Sequence, residues 1–217
     1  MQEKDDIRPS DPEFWQGRWQ NERTGWDLGG PHPLLGDVFR TLFADGWLAK
    51  DASAWVPGCG RAHCAAELAR LGFVTLGSDV VPEAIAKAKE LYADVDRLTL
   101  EVGNALSPLA VPVDVIFDRA VLCAIGPEQR SEFVKAIAAS LKPGGLFVTF
   151  AFTETAPAHG KSGPPFGIPF TELVELLGPE LTLMSAAERS GVDIYGEEGA
   201  GPIVAEVAAV LRRATDG

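Results

Sequence analysis

Two glycines one residue apart, in Val56-Pro57-Gly58-Cys59-Gly60, stand where an apolar run breaks off. At the end of a buried strand such glycines let the backbone meet a ligand with no Cβ in the way, so the spacing marks either a cofactor cradle or a plain tight turn. Position 63 is His and not the third glycine of a dinucleotide fingerprint, which weighs against a nicotinamide cofactor. Asp79 closes the next apolar run, where a carboxylate can accept both hydroxyl protons of a ribose. It could instead cap the helix expected from Pro82, but the glycine turn one strand earlier favours the ribose role. Gly103-Asn104-Ala105 offers an amide and backbone to the edge of a nucleobase, or is an ordinary Asn turn. Asp118-Arg119-Ala120 ends the following apolar run, and Arg119 is either a ligand contact or a partner for Asp118. Polar groups at successive strand ends favour a nucleoside ligand at the carboxyl edge of an open sheet.

Positioning them takes alternating elements. Strands are expected at Ala54–Pro57, Phe73–Ser78, Leu98–Val102, Val113–Phe117 and Leu146–Phe152. Helical patterns lie between them, at about Cys64–Leu71, Pro82–Tyr92 and Glu128–Leu141, with Pro near starts and Gly72 or Lys142-Pro143-Gly144-Gly145 past ends. This order implies a parallel sheet covered on both faces. Asp11–Gln20 and Leu35–Trp47 read as N-terminal helices, and Phe170–Leu177 as a short later one. Ala156–Pro169, rich in Gly and Pro, reads as a long surface loop. Leu181–Arg189 and Ile203–Arg212 read as antiparallel strands at the sheet edge, although the Ala content of the second also suits a helix.

The 217 residues suit one domain at about 150 residues per domain. A net charge of −12 disfavours nucleic acid and anionic membranes, leaving small molecules or proteins as partners. No apolar run nears the roughly 18 residues of a membrane span, and the polar N-terminus is unlike a secretory signal, so a cytoplasmic location is expected. Cys59, Cys64 and Cys123 are too few and too irregular for a disulfide scaffold or a four-ligand zinc site, and no metal is expected. Cys123 lies in an apolar segment and reads as a buried structural thiol, while His32 reads as a solvated loop residue.

Taken together, FWQGRWQNERTGWDLGGPHPLL, WVPGCG, LGSDVVPEAIAKA, FDRAVLCAIGPEQR, LKPGGLFVTF and SGPPFGIPFTELVELL resemble class I S-adenosylmethionine-dependent methyltransferases. Within these the likeness is to the thiopurine methyltransferase family, nearest its halide and thiol branch, and it runs nearly end to end. The resemblance implies a single α/β domain: a Rossmann-like seven-stranded, mostly parallel sheet with helices on both faces and an antiparallel edge strand. Residues 1–50 would form a helical lid, 51–152 the cofactor-binding half, and 153–217 the substrate loop and edge strands. It implies S-adenosyl-L-methionine as cofactor, with Trp19, Trp26 and Leu35 in the lid against it and Gly58, Cys59 and Gly60 at its methionine part; the alternative for the two tryptophans is as core anchors of the N-terminal helix. Asp79 and Val80 would meet the ribose, and Asn104 and Ala105 the adenine. Arg119 would lie near the methionine carboxylate or position an anionic acceptor. Asn104 stands where family members usually carry Asp, Leu28 replaces a commonly polar residue, and Ala62 and Cys64 alter the loop after the first motif.

The implied reaction is in-line attack on a sulfonium methyl. Cationic donor and electron-rich acceptor lose charge on the way, so alignment and desolvation supply most of the help. An apolar acceptor pocket is therefore expected, lined by Phe14, Trp15, Ile125 and Phe166 and closed by Ser162–Pro169, with Phe14 and Trp15 equally readable as ordinary packing residues. Thiolates and halides need no base; an oxygen acceptor would need one, for which Asp118, Tyr195 and His63 are the available residues. A methyltransferase acting on oxygen or nitrogen, and a silent cofactor-binding protein on the same fold, are the alternatives.

Overall fold

The parallel strands explain where the site lies, because each delivers its carboxyl end to the same side. The computed structural model describes residues 9, 11–49, 51–154, 164–192 and 204–215. In chain order the elements are α1 (Pro12–Gln20), α2 (Leu35–Ala44), β1 (Ser53–Pro57), α3 (His63–Arg70), β2 (Val74–Asp79), α4 (Pro82–Leu91), β3 (Leu98–Val102) and β4 (Val113–Arg119). They continue with α5 (Val121–Ala124), a 3-10 turn (Pro127–Gln129), α6 (Arg130–Ser140), β5 (Leu141–Glu154), α7 (Phe170–Leu177), β6 (Leu181–Val192) and β7 (Val204–Arg213).

The strands form one seven-stranded sheet in the order β3-β2-β1-β4-β5-β7-β6. The strands β1 to β5 pair in parallel, and the order reverses between β1 and β4, where a crevice opens at the carboxyl ends. The antiparallel strand is β7, which pairs with β5 on one side and with the outermost strand β6 on the other. Thus the C-terminal Ala-rich segment is a strand: each of its residues from Ala205 to Arg212 gains a ladder partner on β5, which outweighs the helix propensity of alanine.

Both faces are covered. On one, Trp55, Ile116 and Phe147 of the sheet pack with Leu122, Phe133, Ile137 and Leu173 from α5, α6 and α7. On the other, Ala54, Val56, Val115, Phe117, Val148 and Phe150 pack with Leu35, Phe39, Leu68 and Ile85 from α2, α3 and α4. The rings of Phe73, Phe39, Phe117 and Phe150 meet edge to face in a chain, with centroids 5.3–5.8 Å apart. Such pairs add about 0.5–1.5 kcal/mol each beyond their burial. No helix among the described residues is long and apolar enough to cross a membrane.

Two boundaries differ from expectation for local reasons. Lys142-Pro143-Gly144-Gly145 does not separate α6 from a later strand: β5 begins at Leu141, opposite Val113, and resumes its pairing at Leu146 opposite Val115. The intervening residues bulge, which Gly144 permits by its φ of 77°. The helix α5 is a single apolar turn, VLCA, too short to show a helical period. It forms because Asp118 Oδ1 accepts the Val121 N–H at 3.0 Å.

Arg130 is buried at the start of α6. Its Nη2 donates to the carbonyls of Phe166 and Gly167 at 3.1 and 3.3 Å, and its Nη1 to Glu172 at 3.2 Å. It therefore fastens the segment before α7 to the body of the fold. Replacing it with Met should leave these carbonyls without a donor and lower unfolding free energy by about 1–3 kcal/mol, with faster amide exchange at 166–168. Urea titration and hydrogen exchange check this; unchanged protection at those amides would refute the fastening role.

Candidate active site

The turn after β1 is the foundation of the site. Gly58 and Gly60 both adopt left-handed backbone, with φ of 55° and 56°, and Ala62 follows at 63°. A Cβ on Gly58 would lie 2.5 Å from Val121 Cγ2, so only glycine fits there. The turn is held from β2: Cys59 N donates to Ser78 O, and Gly60 N to Asp79 Oδ2, each at 2.9 Å. Asp79 Oδ1 accepts from Val81 N at 2.9 Å, so this carboxylate both braces the turn and opens α4. Each oxygen keeps a second lone pair for a ligand hydroxyl. Burial raises the Asp79 pKa, partly countered by the bonds from Val81, Gly60 and Val80.

A cavity of about 340 Å³ lies over these strand ends. Among the expected residues, Trp15, Trp19, Trp26, Gly58, Asp79, Val80, Asn104, Ala105, Arg119 and Ile125 line it. Cys59 and Gly60 line a smaller adjoining space of about 70 Å³, which shares Trp19, Trp26, Gly58 and Arg119 with the first. Asn104 is exposed, and its Oδ1 accepts from Leu106 N at 2.9 Å, so it makes the Asn turn as well as facing the cavity. Trp19 is both wall and anchor: it is buried against Val81 and Ala84, with the Arg61 guanidinium 5.1 Å from its ring.

Three expected contacts lie elsewhere. Leu35 is fully buried under the sheet beside Phe39 and does not reach the cavity, because α2 packs on the core and not over the ligand crevice. Phe14 stacks edge-on against Trp15 at 5.1 Å, behind the wall that Trp15 forms. Phe166 contributes its backbone: its N–H donates to Cys123 O at 2.6 Å, and Pro164 and Pro165 of the same segment supply the lining instead. His32 is buried and not solvated. Its Nδ1 accepts from Leu34 N at 3.2 Å, its Nε2 lies 3.3 Å from Glu206, and its ring meets Phe150 edge-on. Tyr195, Ser162 and Gly163 fall outside the described residues.

Of the residues considered as a base, Asp118 is fully buried and accepts from Thr149 Oγ1 at 2.8 Å and Val121 N at 3.0 Å. Burial pushes its pKa up to about 6, but it lies behind the wall of the main cavity. His63 borders only the smaller space, between Tyr92 OH at 2.5 Å and Asp27 at 3.1 Å. Cys123 is buried, and burial pushes its thiol up to about 12, which suits an inert packing residue.

A charged lock, with no signal in the local sequence, closes the N-terminal side. Asp27 accepts from Arg61 and the Gly29 N–H and lies 3.1 Å from His63 Nε2, joining the Gly-rich segment before α2 to the turn before α3. Burial alone would raise the Asp27 pKa, yet these bonds hold it well below the usual carboxylate range. Arg18 and Arg23, also unforeseen, line the cavity, so its described lining has three arginines against one carboxylate residue, Asp79. The net −12 of the chain hides this local reversal of sign.

A parallel sheet in this order, crossing at β1 and β4 with a glycine turn and a β2 carboxylate at the crevice, defines a class I methyltransferase. The described residues fit its cofactor: Gly58 leaves the backbone bare, Asp79 has spare lone pairs, and Arg119 Nε is buried without a partner. The family model "Thiopurine S-methyltransferase (TPMT)" matches residues 10–212, and the chain belongs to that family. It is 29% identical over 196 residues to a thiopurine S-methyltransferase of Aliivibrio salmonicida, covering 82% of this chain and 88% of that one. It is 31% identical over 170 residues to thiocyanate methyltransferase 1 of Arabidopsis thaliana, covering 76% and 71%. Among solved structures it matches magnesium protoporphyrin IX methyltransferase from Synechocystis PCC 6803 with bound SAH. There the TM-score is 0.70 at 15% identity, over 94% of this chain and 99% of that one. The protein is an S-adenosyl-L-methionine-dependent methyltransferase.

Asp79→Ala should weaken cofactor binding by about 2–4 kcal/mol through two lost charge-assisted hydrogen bonds, read by calorimetric titration. An unchanged dissociation constant removes Asp79 from the site. For Asp118 the folded pKa lies above the unfolded one, so the folded state holds the proton longer and the stabilising contribution is lost as pH rises from about 4 to about 7. Wild type should lose more stability over that interval than Asp118→Asn, measured by urea unfolding at both ends; equal losses would contradict it.

Proposed function

We propose that the acceptor is a thiol, a halide or a similar soft anion, taken up in the end of the cavity formed by Val121, Ala124, Ile125, Phe152, Pro164 and Pro165. The observation that carries this reading is the lining itself: apolar surface with Arg18, Arg23 and Arg119, and no histidine or carboxylate other than Asp79 among the described residues. Asp79 is engaged with the Gly60 and Val81 amides, which suits a cofactor contact better than proton removal. Without a base, an acceptor must ionise on its own, as a thiol with a pKa near 8 or a halide does and an alcohol does not. The guanidiniums favour the anion through an otherwise acidic surface. The name of the Arabidopsis relative, a thiocyanate methyltransferase, and the thiopurine relatives agree with a soft acceptor.

In this reading the bound cofactor supplies an electrophilic methyl on a sulfonium. The chain does the rest: Gly58 and Gly60 leave room at the turn, and Asp79 accepts the ribose hydroxyls. Trp19 and Trp26 cover the cofactor from the N-terminal side, where the Asp27–Arg61 pair holds the segment down. Asn104 and Ala105 flank the adenine. Arg119, which lines the cavity, is held by its Nη1 bond to Trp26 O at 3.1 Å, and its buried Nε is left without a partner. Trp15 and Ile125 supply the dry wall that strips water from the nucleophile, leaving alignment as the main catalytic effect.

Purified enzyme with S-adenosyl-L-methionine should release S-adenosylhomocysteine on addition of iodide, hydrosulfide, a small alkyl thiol or an aryl thiol. The rate with thiols should rise with pH along the ionisation curve of each thiol. Turnover of a phenol alone overturns the proposal, and no turnover with any acceptor favours a silent binding protein.

A further inference from the structure

Among the described residues, the part of the lining assigned above to the acceptor is mostly apolar. Ala124, Ile125, Phe152, Pro164 and Pro165 present carbon, and Gln129 stands among them. Gln129 Oε1 is buried and has no hydrogen-bond partner. Among the described lining residues only one other polar side-chain atom shares that condition, Arg119 Nε. A buried amide end left unpaired is costly, and in a ligand cavity the partner is expected from the ligand.

Gln129 is also fixed in place. It ends the 3-10 turn Pro127–Gln129, its own N–H bonds Gly126 O at 2.9 Å, and its neighbour Arg130 is the buried clamp on Phe166 and Gly167. The turn and the Pro164–Pro165 wall therefore belong to one frame. The backbone that carries Gln129 is thus set by the turn, and its Oε1 is shielded from water without a partner of its own.

We infer that Gln129 is a specificity-determining residue that reads an O–H or N–H donor carried by the acceptor beside its sulfur. This rests on the soft-acceptor reading above and selects within it. Organic thiols with a polar donor satisfy Gln129 while their carbon body fills the apolar walls. A monatomic anion fills neither requirement, and a purely hydrocarbon thiol leaves the amide unpaired. Arg119 Nε is a donor and Gln129 Oε1 an acceptor, so the two ask for opposite partners, and one small group cannot serve both in the same way.

The test compares kcat/KM for the three hydroxythiophenol isomers with that for the matching methylthiophenols, which have similar shape and no donor. The comparison is made in wild type, Gln129→Met and Gln129→Glu, each first shown to keep its Tm and its affinity for S-adenosylhomocysteine. Wild type should favour the hydroxyl member of at least one pair by about 3- to 10-fold, mainly through KM. The ratio should fall to about one in Gln129→Met and persist in Gln129→Glu, whose carboxylate still accepts; Gln129→Leu replaces the Met variant should that one not fold. Equal ratios in wild type and the apolar variant, or no preference in wild type, overturn the assignment of Gln129 while leaving thiol methylation standing. Failure of wild type to methylate any thiol overturns both.

Discussion

The site depends on one close approach: the backbone at Gly58 passing against Val121 with no room for a Cβ. That contact brings the end of β1 beside the short helix after β4, the two strands between which the sheet order reverses. Left-handed backbone at Gly58, Gly60 and Ala62 then turns the chain into α3, and Asp79 holds the turn from the neighbouring strand through the Gly60 amide. Everything proposed for the ligand is hung on this bend. A side chain at Gly58 would push α5 away, and with it the Ala124–Ile125 wall.

Electrostatics make the second constraint. The chain is strongly acidic, but its cavity gathers three arginines and keeps its other nearby carboxylates occupied or buried. Asp27 is tied to Arg61 and His63, and Asp118 to Thr149 and the start of α5. Both therefore serve the architecture: one fastens the N-terminal segment over the crevice, the other caps the helix that carries the acceptor wall. Among the described residues the pocket carries cations and no free base, which suits a nucleophile that arrives charged and loses its charge in reaction.

Much of the fold was legible because it is repetitive. Strand ends at Pro57 and Val102, the helix end at Gln20, the helix start at Pro82, and Phe170–Leu177 follow from apolar period and Gly/Pro punctuation. What escaped was set by contacts distant in the chain. His32 looks like a loop residue until Glu206, 174 positions later by the difference of the two numbers, closes over it. Leu35 sits near the tryptophans in sequence but belongs to a helix whose apolar stripe faces the core. Arg130 and Gln129 are adjacent, yet one clamps a distant loop and the other faces the cavity; no spacing rule separates them.

The sequence by itself determined the class of sheet, the glycine turn and the carboxylate that follows it, because these are local demands on backbone and strand order. Its motifs also carried the family and hence the cofactor. Only the tertiary structure decided which aromatics touch the cavity, which acids are spent on structure, and which polar atoms are left buried without a partner. Those outcomes depend on side chains brought together from separate strands and loops, and burial and pairing are properties of the assembled surface that no stretch of chain contains alone.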